Sequence, residues 1–167
     1  MPSEQFTDAI ALLKADHRTV EDLFAKFEKA GDGDKQAIAE EICNDLKIHA
    51  TIEEEIFYPA LRGKIDDDLL DEAYVEHDGA KVLINDILAG GEGDDFYDAK
   101  VTVLSEEIEH HVKEEEEPGK GMFAQARKAE VDLVALRDRM MELKQRPIAQ
   151  LESEGVLPLA QPTTVTT

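Results

Sequence analysis

Apolar residues in this chain recur at steps of three and four through four long stretches, each closed by glycine or proline, and that spacing restricts the fold to packed helices. The first stretch runs from near residue 5 to 30 and stops at Gly31-Asp32-Gly33. The second follows from 34 to about 61, where Pro59 is expected to bend or end it. A third covers about 66 to 89 and stops at Gly90-Gly91-Glu92-Gly93; a fourth covers about 95 to 117 and is interrupted by Pro118-Gly119-Lys120-Gly121. Strict alternation, the mark of strands, is rare. Long helices joined by short turns lie antiparallel, so the sequence predicts an all-α, up-down-up-down four-helix bundle with positions 10, 13, 20, 24, 27, 38, 42, 46, 70, 84, 87, 101, 104 and 108 in its core.

A fifth stretch, about 122 to 145, places Ala129, Leu133, Leu136, Met140 and Leu143 on one stripe, which predicts a helical extension packed on the bundle or on a second copy of the chain. The expected division is a bundle domain over 1–127, an amphipathic helical extension over 128–146, and a loosely ordered tail over 147–167, where prolines and threonines break the period.

A chain of 167 residues fits one domain. Its 39 acidic against 18 basic side chains give a net charge of -21, which repels both nucleic acid and anionic lipid, so neither is an expected partner. Cys43 is the sole cysteine and lies in an apolar helical stretch, which reads as a small core residue in a reducing compartment. The N-terminus lacks the basic start and apolar run of a secretory signal, and the expected location is the cytoplasm.

The five histidines, at 17, 49, 77, 110 and 111, all fall in the four main helices. The steps Leu13, His17, Val20; Leu46, His49, Glu53; Ala73, His77, Ala80; and Ile108, His111, Glu115 put one histidine of each helix on its inward face. A single histidine there is most often a hydrogen-bonded core residue. Four imidazoles and two carboxylates in one interior would each cost several kcal/mol unless a cation compensated them. On the second and fourth helices the carboxylate follows its histidine by four residues, one turn or ~6 Å along the axis, so both side chains reach one point. His110, with Glu114, competes with His111 and Glu115, but stepping back from it meets Glu107 and Val103, which is no apolar stripe. Glu116 is a minor alternative ligand, and Tyr58 and Tyr74 lie close enough in sequence to shield the site or simply to pack.

The arrangement repeats. His17 and His49 are 32 residues apart, His77 and His111 are 34 apart, and each half supplies a histidine followed by His-x-x-x-Glu. Two equivalent half-sites imply two metals, one near His17 and His49 and the other near His77 and His111. The donor set suits iron or manganese better than structural zinc, although zinc stays open.

These motifs resemble the hemerythrin-like family of HHE cation-binding domains. The matching pieces are Ala-Asp-His-Arg-Thr-Val-Glu-Asp-Leu-Phe around His17, His-Ala-Thr-Ile-Glu-Glu-Glu-Ile-Phe-Tyr-Pro from His49, Glu-His-Asp around His77, and His-His-Val-Lys-Glu-Glu-Glu from His110, covering about residues 8 to 127. The resemblance implies a centre of two non-haem iron ions with oxo or hydroxo bridges, in which Glu53 and Glu115 match the bridging carboxylates. Two departures bear on function. Oxygen carriers of the family have a further histidine where this chain has Ala73, and an aspartate where it has Glu115. Fewer protein ligands leave open positions on the metals, which favours chemistry on hydrogen peroxide or nitric oxide over reversible O2 storage. The alternatives are an O2- or iron-binding or sensing protein without turnover, and a helical interaction protein. A ferritin-like carboxylate bundle needs Glu-x-x-His on two helices, and only Glu107 to His110 supplies it.

Overall fold

The computed structural model describes residues 5–166. Four long helical runs form the bundle: α1 (Ala9–Lys29), α2 (Lys35–Ile52) with its continuation, α4 (Asp67–Gly90) and α5 (Tyr97–Glu116). Each apolar stripe needs a partner, and the ring closes by packing α1 on α2, α2 on α4, α4 on α5 and α5 back on α1. Asp8 and Asp66 start α1 and α4 by accepting hydrogen bonds from the backbone N–H of Ala11 and Asp68. No helix among the described residues is long and apolar enough to cross a membrane.

Pro59 does not bend the second run where the sequence suggested. The run widens one turn earlier, at Glu53–Phe57, where the Tyr58 N–H bonds the Glu53 carbonyl five residues back, and it resumes as the short α3 (Tyr58–Leu61) with Pro59 in its first turn. In an ordinary helix Tyr58 would be turned ~140° away from Glu53. The wider turn brings Glu53, Phe57 and Tyr58 all inward, each fully buried.

The core is two apolar clusters with the histidine layer between them. One joins Leu12, Leu13, Ile52, Phe57, Leu61, Leu70 and Phe123 at the end where α1 starts; the other joins Val20, Phe24, Ile42, Ile84, Val101 and Leu104 at the opposite end. Every expected core position is buried except Ile38 and Ile108, which pack half-buried against the second cluster. Cys43 is fully buried, and burial pushes its thiol up to about 12, so it stays protonated and inert.

The stretch expected as one extension is two helices. α6 (Met122–Lys128) ends at Ala129, Glu130 takes a positive φ of 56°, and α7 (Leu133–Glu154) starts from an Asp132 cap. Leu133, Leu136 and Met140 are buried in the first core cluster of the chain's own bundle. α7 passes through Pro147, beyond the expected boundary at 146, and stops where Gly155 adopts φ 73° and bonds the Leu151 carbonyl, a conformation that costs glycine nothing. Beyond it, residues 156–164 lie along α2 and α4, with Leu157 buried and the Ala160 backbone paired in both directions with the Asn85 side chain.

Candidate metal centre

Each bundle helix delivers its histidine to one layer, as its three- and four-residue steps require. His17, His49, His77 and His111 are buried there with Glu53 and Glu115, while His110 points to solvent with its side chain 66% exposed. The register on α5 is therefore the one that puts His111 and Glu115 inside. His110 instead joins the surface carboxylates Glu76 and Glu114, which also removes the ferritin-like arrangement.

The inner atoms have a two-fold pattern. Glu53 Oε1 lies 3.0 Å from His49 Nε2 and 3.3 Å from His77 Nε2, and Glu115 Oε1 lies 3.3 Å from His17 Nε2 and 3.4 Å from His111 Nε2. Each carboxylate thus spans one histidine from each half of the sequence. The buried potential ligand atoms gather in two sets, His17, His49, Glu53 and Glu115 in one and Glu53, His77 and His111 in the other, sharing Glu53, while Glu76, His110 and Glu114 form a third set at the surface. His17 Nε2, His49 Nε2, both Glu53 oxygens and Glu115 Oε1 are buried without a hydrogen-bond partner. Buried polar atoms are rarely left so, and the ones orphaned here are lone-pair donors aimed at each other.

The outer ring nitrogens are all satisfied. His17 Nδ1 donates to Glu116, His49 Nδ1 to Asp16 (3.0 Å), His77 Nδ1 to Glu54 (2.9 Å) and His111 Nδ1 to Glu76 (2.8 Å). A carboxylate on Nδ1 keeps the proton there and turns the Nε2 lone pair inward, the tautomer a metal needs. Every one of these carboxylates is the chain neighbour of an inner residue on a different helix: Asp16 precedes His17, Glu76 precedes His77, Glu54 follows Glu53 and Glu116 follows Glu115. Stripe reasoning missed this role, assigning Glu116 as a minor ligand and the other three nothing. The signal was present as acidic residues flanking every inner residue except His49 and His111.

Tyr58 enters the layer because of the widened turn. Its hydroxyl donates to Glu115 Oε2 at 2.8 Å and lies 3.3 and 3.2 Å from Nε2 of His77 and His111. Tyr74, by contrast, donates outward to the Glu54 carbonyl. Ala73, at the position where the resemblance places a further histidine in oxygen carriers, is buried in the same apolar cluster as Tyr58. From the same cluster Phe123 stacks on His17, with ring centroids 5.9 Å apart. The Pro118 to Gly121 turn makes that contact by folding tightly under α5: a Cβ on Gly121 would meet the Glu114 and Glu115 carbonyl oxygens at 2.8 Å, so only glycine fits.

Residues 8–126 match the family described as Hemerythrin HHE cation binding domain. The chain belongs to that family. The family is a cation-binding one, and the buried His and Glu cluster of this HHE domain fits metal binding. A hemerythrin HHE cation binding domain-containing protein of Mycobacterium kansasii has the same fold, with a TM-score of 0.71 at 21% identity over 90% of this chain and 96% of that one. A DNA nickase of Nostoc sp. (strain PCC 7120) is 30% identical over 106 residues, which are 63% of this chain but only 30% of the relative.

Without metal the centre holds protons. Burial pulls the His77 pKa down, but bonds to Glu53 and Glu54 outweigh it and push it up to about 9; His17 and His49 are raised for the same reasons. Burial would raise Glu53, yet the His49 charge and the bonds from His49 and His77 hold it well below the usual carboxylate range. A histidine with a raised folded pKa stabilises fully below its unfolded value of ~6.5 and loses that contribution as pH rises through the folded value. From pH 6.5 to 9 the metal-free protein is therefore expected to lose stability, on the order of 3 kcal/mol from His77 alone. Urea denaturation at the two pH values checks this, and equal midpoints would refute it.

Proposed function

We propose that this chain is a non-haem di-iron protein that acts on hydrogen peroxide or nitric oxide. His17 and His49 would hold one ion, His77 and His111 the other, with Glu53 and Glu115 bridging. The observation that carries the reading is the set of buried, partnerless lone-pair atoms on His17, His49, Glu53 and Glu115. Four imidazoles and two hard carboxylates, with no thiolate, suit iron or manganese. An iron pair supplies reversible one-electron chemistry without an organic cofactor.

The chain's own residues supply the rest. Asp16, Glu54, Glu76 and Glu116 orient the four rings. Tyr58 carries a proton at 2.8 Å from Glu115, and burial together with the Glu115 and Glu53 charges raises its pKa, so the phenol can hold and return a proton beside a small ligand. Phe57 and Phe123, in edge contact at 5.7 Å, close the layer against water on the α1 side. With two histidines per ion and Ala73 in place of a further one, each ion would keep a coordination position for an exogenous ligand.

The nickase activity of the Nostoc relative is a weaker reading. The shared stretch is 30% of that protein, and a net charge of -21 opposes approach to a phosphate backbone. A buried, reduced Cys43 fits the cytoplasm as the setting.

Iron-loaded protein is expected to bind about two ions per chain and to disproportionate peroxide, two molecules giving one O2 and two waters. Oxygen evolution is the readout, beside metal-free protein and His77→Ala. Rates no higher than an equal concentration of free iron, or a stable reversible O2 adduct without turnover, would leave a binding protein instead. Loss of nitric oxide in the presence of peroxide is the parallel assay for the second substrate.

A further inference from the structure

The four outer carboxylates are not held alike. Glu116 is held by Arg18 at 2.6 Å and Glu76 by His110 at 3.3 Å, all within the stretch that defines the family. Asp16 is held from beyond it, and Glu54 is held jointly from within it and from beyond it. Lys144 of α7 places its ammonium 2.8 and 3.0 Å from the two Asp16 oxygens, and the Thr163 hydroxyl donates to Glu54 Oε1 beside the Lys81 ammonium, which is 2.8 Å from Glu54 Oε2. Asp16 and Glu54 orient His49 and His77, and those are the two rings that meet Glu53. The C-terminal residues therefore act on one edge of the centre only.

The tail reaches Glu54 along a track built for it. Lys47, Asp78 and Lys81 are buried polar residues on α2 and α4. Lys47 donates to the Pro158 carbonyl at 3.0 Å, Lys81 to the Gln161 carbonyl at 2.9 Å, and Asp78 accepts from the Thr163 and Thr164 N–H groups at 2.8 and 2.7 Å. Without the tail, these side chains would lose those partners and meet water instead. The contacts fix Thr163 to within a hydrogen bond of Glu54.

We propose that the C-terminal segment beyond the HHE domain is part of the metal centre, with Lys144 and Thr163 as positioning residues that hold His49 and His77 on the Glu53 edge through Asp16 and Glu54. The inference rests on the metal reading above. Its test is the rate at which protein loaded anaerobically with Fe(II) gives up iron to excess chelator. Lys144→Met and Thr163→Val are each expected to speed release about 3- to 10-fold, and deletion of residues 156–167 about 10- to 100-fold, the range found when partners of metal-ligating histidines are lost. Thr163→Ser should release at the wild-type rate. Lys144→Met should add nothing in an Asp16→Ala background, and Thr163→Val nothing in a Glu54→Ala background, because each acts through that carboxylate. A tail that merely stabilised the fold would lower the melting temperature and leave release unchanged, or would act equally in both backgrounds; either result overturns the inference. Wild-type protein that takes up no iron would overturn the metal reading itself.

Discussion

Glu53→Ala is expected to empty both metal positions, taking iron content from about two ions per chain toward none and weakening affinity beyond the 10- to 100-fold typical of losing an outer partner. The reason is geometric. Glu53 Oε1 is within 3.3 Å of histidines from both halves of the bundle, and Glu53 is the residue common to both ligand sets. His49→Ala, which touches one set, should lower the count less. Glu53→Gln keeps the shape and removes the charge, so it separates coordination from packing. In the metal-free protein either substitution removes the carboxylate shared by His49 and His77 and leaves Asp16 and Glu54 alone to hold their protons, so both pKa values fall. Breaking a buried pair costs ~3–5 kcal/mol, so the penalty should be full below pH ~6.5 and fade as pH rises toward about 9, the folded pKa of His77 in the intact protein. Metal analysis after loading in iron-supplemented medium is the measurement, with His110→Ala as a control expected to keep wild-type content. Full occupancy in Glu53→Ala, or iron stripped by His110→Ala and kept by His111→Ala, would contradict the assignment.

The bundle and its inner layer were legible because helical periodicity reports which face a residue occupies, and one face is all that His17, His49, His77, His111, Glu53 and Glu115 needed to share. What stayed hidden lies outside periodicity. The widened turn at Glu53–Phe57 inserts Tyr58 into the layer by breaking the period, and a stripe count has no term for an extra residue. The outer carboxylates sit next to inner residues in sequence and therefore off the stripe, pointing sideways to a neighbouring helix. A reading confined to one helix at a time cannot pair Asp16 with His49 or Glu76 with His111. The tail is a third case: residues 156–164 are held by backbone bonds to Asn85, Lys81 and Asp78, so their order comes from polar side chains elsewhere and not from their own composition.

Removing residues 130–167 is expected to unfold the domain, not trim it. Leu133, Leu136 and Met140 close the apolar cluster that contains Leu12, Leu13, Ile52 and Phe57, and Met140 is fully buried. Burying three such side chains contributes roughly 5–9 kcal/mol, at ~1.5–3 kcal/mol each, against a total stability of ~5–15 kcal/mol for a domain. The same segment fixes the start of α1, since Arg137 donates to the Phe6 and Thr7 carbonyls at 3.0 and 3.2 Å. A graded version keeps the chain intact: Met140→Ala should cost about 2–5 kcal/mol in urea denaturation, through lost transfer energy and the cavity left behind. Sedimentation distinguishes the two surfaces on which the stripe could pack. If α7 covers its own bundle, Met140→Ala lowers stability without changing the sedimenting mass and at a midpoint independent of protein concentration. A drop from dimer to monomer mass, with the midpoint rising as protein concentration is raised, would mean that the stripe lies on a second copy of the chain.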